Sequence, residues 1–395
     1  MLYFGDDLAK IGPMKKPPQQ TSNNGWTGGQ YSLLRVLFGL FLLTFFIVRL
    51  RSFLLNQGEP TIPSTWIALE QLLLWIGLEQ RFLFFVPCIA IVASIALMLG
   101  VFDRGAAWLL FFAVPLRWES PVLVQLIAAS NALLLLHIFV PSAPYGSLPA
   151  RNRVDPVGSW FMPALLPKLA WLYLGATYFS SGLNNLVAPP DFLPGAVGYA
   201  LAACQLLFAL LAFSHKTRPW AWSALFLVNG VLIATGTSLF TVEVLLIHLF
   251  AFSPAWFPPR NTANLLFYDG SCGLCHRAVR FILAEDLRAT LFRFAPLGGD
   301  TFLVKITEQQ RTHLPDSLVL LTGDGRLLFK SAAALTVADQ LGGAWRVLAL
   351  LARLVPRPIS DAVYDGIARI RHVLFSRPSD VCPILPPHQR ARFES

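Results

Sequence analysis

Between residues 31 and 257 the chain repeatedly runs apolar for about 20 residues at a time, the length a helix needs to cross a hydrocarbon core of about 30 Å. Eight such stretches can be placed, at 31–50, 82–101, 104–118, 121–140, 164–187, 196–213, 219–237 and 239–257, of which 104–118 is the shortest. No other feature constrains the fold as much. Backbone inside lipid has to satisfy its own N–H and C=O groups, so stretches of this kind are expected as helices packed in a bundle. A shorter segment at 66–78, with Trp66, Leu69, Leu72, Leu73, Leu74 and Trp75 around Glu70, reads as an interfacial or re-entrant helix. With 55% hydrophobic residues, 13% charged and a mean hydropathy of +0.57, the composition points to a polytopic membrane protein with a soluble piece attached.

Residues 1–30 are polar and read as a disordered tail, without the apolar region or cleavage site of a signal peptide. Eight spans place both termini on one side, together with Lys10, Lys15, Lys16, Arg104, Arg151, Arg153, Lys216, Arg218 and Arg260. The opposite side receives Arg49, Arg51, Arg81 and Arg117. Positive charge favours the cytoplasm, so the expectation is a multi-pass protein of the cell inner or plasma membrane with both termini cytoplasmic. This depends on 104–118 crossing, since an odd number of spans separates the termini. The net charge of +9 is accounted for by these loops and by the soluble part, and no basic patch interleaved with aromatics points to nucleic acid.

Arg35, Lys168 and Glu119 lie near span ends and are expected to snorkel. Glu243 and His248 in the last stretch, and His137 in the fourth, are expected as hydrogen-bonding groups between helices rather than catalysts. Cys88 and Cys204 read as small packing residues.

After a proline-rich linker, Ser253–Ala263, the pattern changes. A short apolar run, Leu265 to Tyr268, stops at the turn signal Asp269-Gly270, and Leu274, Ala278, Phe281 and Ile282 then follow helical spacing. Cys272 and Cys275 thus fall at a strand-to-helix turn. The unpaired N–H groups and dipole of a helix N-terminus favour a thiolate, as do the nearby His276, Arg277 and Arg280. Two intervening residues let the second cysteine close a disulfide on the first. Half of a zinc site is the competing reading, but such sites need four ligands, and beyond His276 only the distant Cys382 is on offer. A pair that follows a strand and opens a helix favours redox chemistry. On this reading Cys272 is the exposed, low-pKa nucleophile and Cys275 the buried resolving thiol. Asp269 is either a base near Cys275 or a cap for the helix.

Downstream lie a strand at 291–295, a helix at 301–310, a strand at 317–321, a turn at Gly323-Asp324-Gly325, a strand at 326–329, and a helix from the N-cap candidate Ser331 to Leu341. The order β-α-β-α-β-β-α is that of a minimal α/β thioredoxin-like fold. In that fold Pro315 falls where a cis-proline stands beside the dithiol, although trans is the commoner form of any X-Pro bond.

Tyr268, Asp269, Gly270, Cys272 and Cys275, followed by Asp286, resemble the motif of the DCC family of thiol-disulfide oxidoreductases. The resemblance continues through Pro315-Asp316-Ser317, Lys330-Ser331, Leu341-Gly342-Gly343, Pro356, Tyr364 and Arg369 to Cys382, roughly the last third of the chain. It implies Cys272 and Cys275 as the redox pair and Asp269 and Asp286 as the family's aspartates.

In the membrane part, Tyr31-Ser32, Arg35 and Gly39, with Tyr178, Gly182 and Leu186, resemble the HTTM domain shared with vitamin K-dependent γ-glutamyl carboxylases. Those carboxylases carry a lysine pair as base where this chain has Asn184 and Asn185, and an amide cannot accept and return a proton.

The resulting expectation has four parts: a tail at 1–30, an HTTM-like α-helical domain of about eight spans at 31–258, a DCC thioredoxin-like domain at 264–382, and a tail at 383–395. The expected partners are the lipid bilayer and a disulfide-containing protein or small thiol. No cofactor is required beyond the redox-active disulfide. The alternative is a lipid- or quinone-binding membrane protein whose dithiol supplies electrons or senses redox state.

Overall fold

The computed structural model describes residues 25–55, 67–115, 121–158, 160–188, 195–234, 240–312, 314–315, 317–374 and 385–395. Lys10, Lys15, Lys16, Trp66, Arg117, Glu119, Asp316 and Cys382, on which parts of the sequence reading rest, lie outside the described residues.

Every one of the eight apolar stretches carries a helix: α1 (Gly28–Leu54), α3 (Glu79–Leu99), α4 (Asp103–Ala113), α5 (Pro121–Ile138), α6 (Leu165–Val187), α7 (Gly195–Leu211), α8 (Arg218–Ala234) and α9 (Phe240–Ala251). The shorter segment carries α2 (Ile67–Trp75). Among the described residues two helices, Gly28–Leu54 and Arg81–Leu99, are long and apolar enough to cross a membrane. α6 has the expected length, whereas α4, α7 and α9 are shorter than their apolar stretches. In the last stretch α9 ends at Ala251, and a 3-10 turn at Pro254–Trp256 follows.

One apolar core runs through the bundle, with Phe38, Leu42 and Phe46 of α1 against Leu97, Leu110 and Leu134. Two expectations are corrected here. Residues 25–30 are not tail: Thr27 is the N-cap of α1, accepting the Gln30 N–H at 3.3 Å, and Trp26 is buried beside it. Arg35 does not snorkel. It is 1% exposed, with its guanidinium directed at the carbonyls of Met98 (3.4 Å) and Gly146 (3.5 Å).

The C-terminal part is built on a four-stranded sheet of β1 (Asn264–Tyr268), β2 (Phe292–Pro296), β3 (Val319–Leu321) and β4 (Leu327–Phe329). The strand order is β2-β1-β3-β4, with β1 and β2 parallel and the other pairs antiparallel. Alternate residues go to opposite faces. Leu266, Phe294 and Leu320 pack with α10 (Gly273–Glu285) and α13 (Lys330–Leu341), through Val279, Ile282 and Val337. Leu265, Phe267 and Val319 pack with Phe302 of α11 (Asp300–Lys305) and with Ile306. The element order is the one expected, with α12 (Glu308–Arg311), α14 (Gly343–Ala352), α15 (Arg357–Leu374) and α16 (Pro387–Arg390) added to it. Ser331 is not an N-cap. Phe329 holds that position, and the Ser331 hydroxyl donates instead to Asp361 of α15.

The expected tail is in fact part of this unit from Leu385 onward. The Phe294 N–H donates to the Arg392 carbonyl at 2.9 Å and the Glu394 N–H to the Phe294 carbonyl at 2.8 Å, which covers the open edge of β2. The rings of Phe294 and Phe393 stack 5.1 Å apart.

Candidate dithiol site

Strand β1 is buried from Asn264 to Phe267 and surfaces at Tyr268, where the chain turns. The Asp269 carboxylate closes that turn, accepting the Ser271 N–H at 2.8 Å and the Ser271 hydroxyl at 2.7 Å. Cys272 follows in an extended conformation (φ −96°, ψ 117°) as the N-cap of α10. Its carbonyl accepts the first helical hydrogen bond, from His276 N–H at 3.1 Å, so the N–H groups of Gly273, Leu274 and Cys275 precede the helical ladder beside its side chain. The His276 ring is held by Nε2 donating to the Gly270 carbonyl at 2.9 Å.

Cys275 lies in the first turn of α10, shares a hydrogen bond with Cys272, and is not joined to it by a disulfide. Burial pushes the Cys275 thiol up to about 12, helped by the hydrogen bond with Cys272, the Cys272 charge and the Asp269 carboxylate; a backbone hydrogen bond at Asp269 acts the other way. Asp269 therefore acts on Cys275 electrostatically while capping the turn that leads into the helix. The expected exposure of Cys272 is corrected: it is 2% exposed and Cys275 9%.

The remaining residues singled out in the sequence are placed differently. In antiparallel pairing Phe267 faces Val319, so the start of β3 and the end of β1 leave the sheet on the same side. Pro315 therefore approaches the dithiol end of the sheet, and the Leu318 N–H just beyond it donates to Tyr364 Oη at 3.0 Å. The bond before Pro315 is trans; no cis peptide occurs among the described residues. Asp286 sits at the opposite end of α10, as its C-cap, roughly 20 Å along the helix from Cys272. It accepts the Leu291 N–H at 3.0 Å and pairs with Arg392 at 2.7 Å, and burial raises its pKa although the guanidinium lowers it. Arg280 turns away from the thiols and donates to the Arg153 carbonyl. Among the described residues no three His, Cys, Asp or Glu side chains gather as a metal site.

Within the bundle, His248 Nε2 meets Tyr178 Oη at 2.6 Å, and Asn229 donates to the same oxygen at 2.6 Å, linking α9, α6 and α8. His137 meets Tyr31 Oη of α1. Glu243 is fully buried, and its carboxyl oxygens find no hydrogen-bond partner among the described residues. Asn184 is exposed, and Asn185 donates to Gln205 of α7 at 2.9 Å.

Sequence reasoning missed Glu285. It is buried at the end of α10 and accepts from Thr27 Oγ1, from the Gly29 N–H at 2.9 Å and from Trp345 Nε1. Burial pushes its carboxyl up to about 7, against the pull of these donors. The available signal was its place on the apolar side of α10, three residues after Ile282 and four after Phe281.

The profile of the DCC1-like thiol-disulfide oxidoreductase family matches residues 266–377. The uncharacterized protein YuxK of Bacillus subtilis is 35% identical over 134 residues, which is 33% of this chain and 93% of YuxK. A chloroplastic DCC family protein of Arabidopsis thaliana is 27% identical over 120 residues, 30% of this chain and 69% of that protein. No solved structure matches the chain at a significant level.

Proposed function

Through its C-terminal third the chain belongs to the DCC1-like thiol-disulfide oxidoreductase family, and from that premise we propose that it is a membrane-anchored thiol-disulfide oxidoreductase of the protein-disulfide reductase type. Residues 31–258 are its HTTM-like multi-pass anchor, and residues 264–382 its thioredoxin-like catalytic unit. The coincidence of a helix with each of the eight apolar stretches supports about eight spans, and loop charge supports cytoplasmic termini. A cytoplasmic dithiol is kept reduced, which suits a reductase.

The asymmetry of the two thiols carries this reading. Cys272 stands at the helix N-terminus, while Cys275 is held protonated by burial. The Cys272 thiolate attacks one sulfur of a substrate disulfide. That S–S bond breaks, and the departing sulfur leaves with the electron pair and takes up a proton. Cys275 then gives its proton to the Asp269 carboxylate and attacks Cys272 Sγ, which expels the second substrate thiolate. The substrate gains two electrons and the dithiol becomes a disulfide, which a cytoplasmic dithiol, or two monothiols in turn, reduces back while itself becoming a disulfide. Reduction of a model disulfide by the full chain in nanodiscs tests this. Turnover should vanish in Cys272→Ala, and its persistence there would sink the proposal.

A second reading has one observation in its favour. Glu243 and His248 Nδ1 are buried in the bundle without hydrogen-bond partners among the described residues, as a polar headgroup site would require. On that reading the bundle binds a lipid or quinone, and the dithiol supplies electrons to it or senses redox state. Carboxylase chemistry is not part of either reading, because Asn184 and Asn185 offer no base.

A further inference from the structure

On the side of the sheet where α10 and α13 pack, two helices turn their apolar faces outward. α15 meets the protein through its polar side: Asp361 accepts from Ser331, Asp365 pairs with Lys330 at 2.8 Å, and Tyr364 Oη accepts the Leu318 N–H. Its other side carries Ile359, Val363, Ile367 and Ile370 at spacings of four, four and three, each 47–60% exposed. Leu351 and Leu354, at and just beyond the end of α14, are exposed as well. A surface helix of a globular unit normally does the reverse, with its apolar stripe inward.

Position and charge both say what covers the ridge. α14 starts against the end of the bundle. The Ala344 N–H donates to the Gln30 side chain at 3.3 Å, Arg346 donates to the Pro258 carbonyl at 3.3 Å, and Trp345 shares Glu285 with Thr27 and Gly29 of α1. Along the chain, α14 thus leads from the place where α1 begins and the chain leaves α9 to the apolar face of α15. Arg353, Arg357 and Arg369 border it and are exposed; Arg353 shares Asp339 with Arg260 and Arg346, and Arg357 lies 3.7 Å from Asp361, so cations outnumber acids along this margin. An apolar helix face with a cationic margin, one short helix along the chain from the end of a membrane bundle, matches an interfacial helix on anionic headgroups.

We propose that the apolar ridge of α15, with the exposed end of α14, rests in the headgroup layer of an anionic bilayer, so that the dithiol unit lies on the lipid surface beside the bundle. The inference rests on the membrane-spanning reading given above.

The test uses the unaltered full chain in phosphatidylcholine–phosphatidylglycerol nanodiscs that carry a lipid with a photoactivated diazirine near the glycerol level. After illumination, cross-links are mapped on tryptic peptides. Peptide 354–369 should be labelled roughly fivefold or more above peptide 294–305, which carries the exposed Leu303 and Val304 on the other face of the sheet. Labelling should fall when phosphatidylglycerol is omitted, and in Val363→Asp and Ile367→Asp. Equal labelling of the two peptides while 36–49 of α1 is labelled overturns this inference alone. An unlabelled 36–49 overturns the spanning reading with it. A ridge that stays unlabelled while cross-linking to a second copy of the chain also overturns the proposal.

Discussion

The Glu285 carboxylate accepts the backbone N–H of Gly29 at 2.9 Å, across 256 residues of sequence. It thereby joins the last residue of the helix that begins at the dithiol to the first turn of α1. The carboxylate sits at the positive end of the α1 dipole, and a Cβ at position 29 would collide with it, so glycine is needed for this approach. α10 is thus a single rigid piece with Cys272 at one end and the start of the bundle at the other.

Glu285 should make stability depend on pH. Its folded pKa is raised, to about 7, so its proton is bound more tightly in the native state than in the unfolded chain, where a glutamate titrates near ~4.3. Its contribution is therefore fully present below about pH 4 and is lost as pH rises through about 7. The thermal midpoint of Glu285→Gln should fall less between pH 5 and 8 than that of the unaltered chain. Parallel slopes would contradict this. Glu285→Ala should cost about 1–3 kcal/mol for the donors it leaves without an acceptor.

The thiols should differ in reactivity. With Cys275→Ala, iodoacetamide at pH 7 should modify Cys272 at least roughly tenfold faster than it modifies Cys275 in Cys272→Ala, because burial keeps Cys275 protonated. As both side chains are buried, a bulky maleimide should be slower than iodoacetamide at either one. Faster reaction at Cys275 would reverse the assignment.

Much of this was legible in sequence. Strand β1, the turn at Asp269 and the helix from Gly273 follow from Leu265–Tyr268, the Asp-Gly pair and the spacing of Leu274, Ala278 and Ile282. Helix positions in the bundle were legible too, because apolar runs mark them. Their lengths were less so, since apolar turns such as 252–257 look the same as helix in composition. What escaped is long-range pairing. Arg392 reads as a charged residue near a chain end, yet it fills the site opposite Asp286; Arg35 reads as a snorkelling residue, yet it is enclosed by Met98 and Gly146. No local pattern encodes such partners.

Arg392→Met should destabilise the C-terminal unit by about 3–5 kcal/mol, since it leaves the Asp286 carboxylate buried without its ion-pair partner. Hydrogen exchange at the amides of Phe294 and Glu394 should rise with it. Asp286→Asn in the same chain should recover part of the loss. Unchanged exchange would show that residues 385–395 do not hold the edge of β2.

Sidedness is best read at an exposed position, because a buried Cys272 reacts slowly with a bulky maleimide on either side of a membrane. Val304 is 82% exposed. In cells expressing Val304→Cys, an impermeant maleimide should label that residue only after permeabilisation. Labelling of intact cells would place the dithiol outside and favour an oxidant or isomerase over a reductase.

The central claim is that Cys272 attacks and Cys275 resolves, and covalent trapping tests it most directly. In Cys275→Ala the first step proceeds and the second cannot, so the full chain should accumulate mixed disulfides with its substrates in cells. These should be reversed by dithiothreitol and be absent when Cys272 is also replaced by Ala. Adducts that form through Cys275 in Cys272→Ala, with none in Cys275→Ala, would contradict the account.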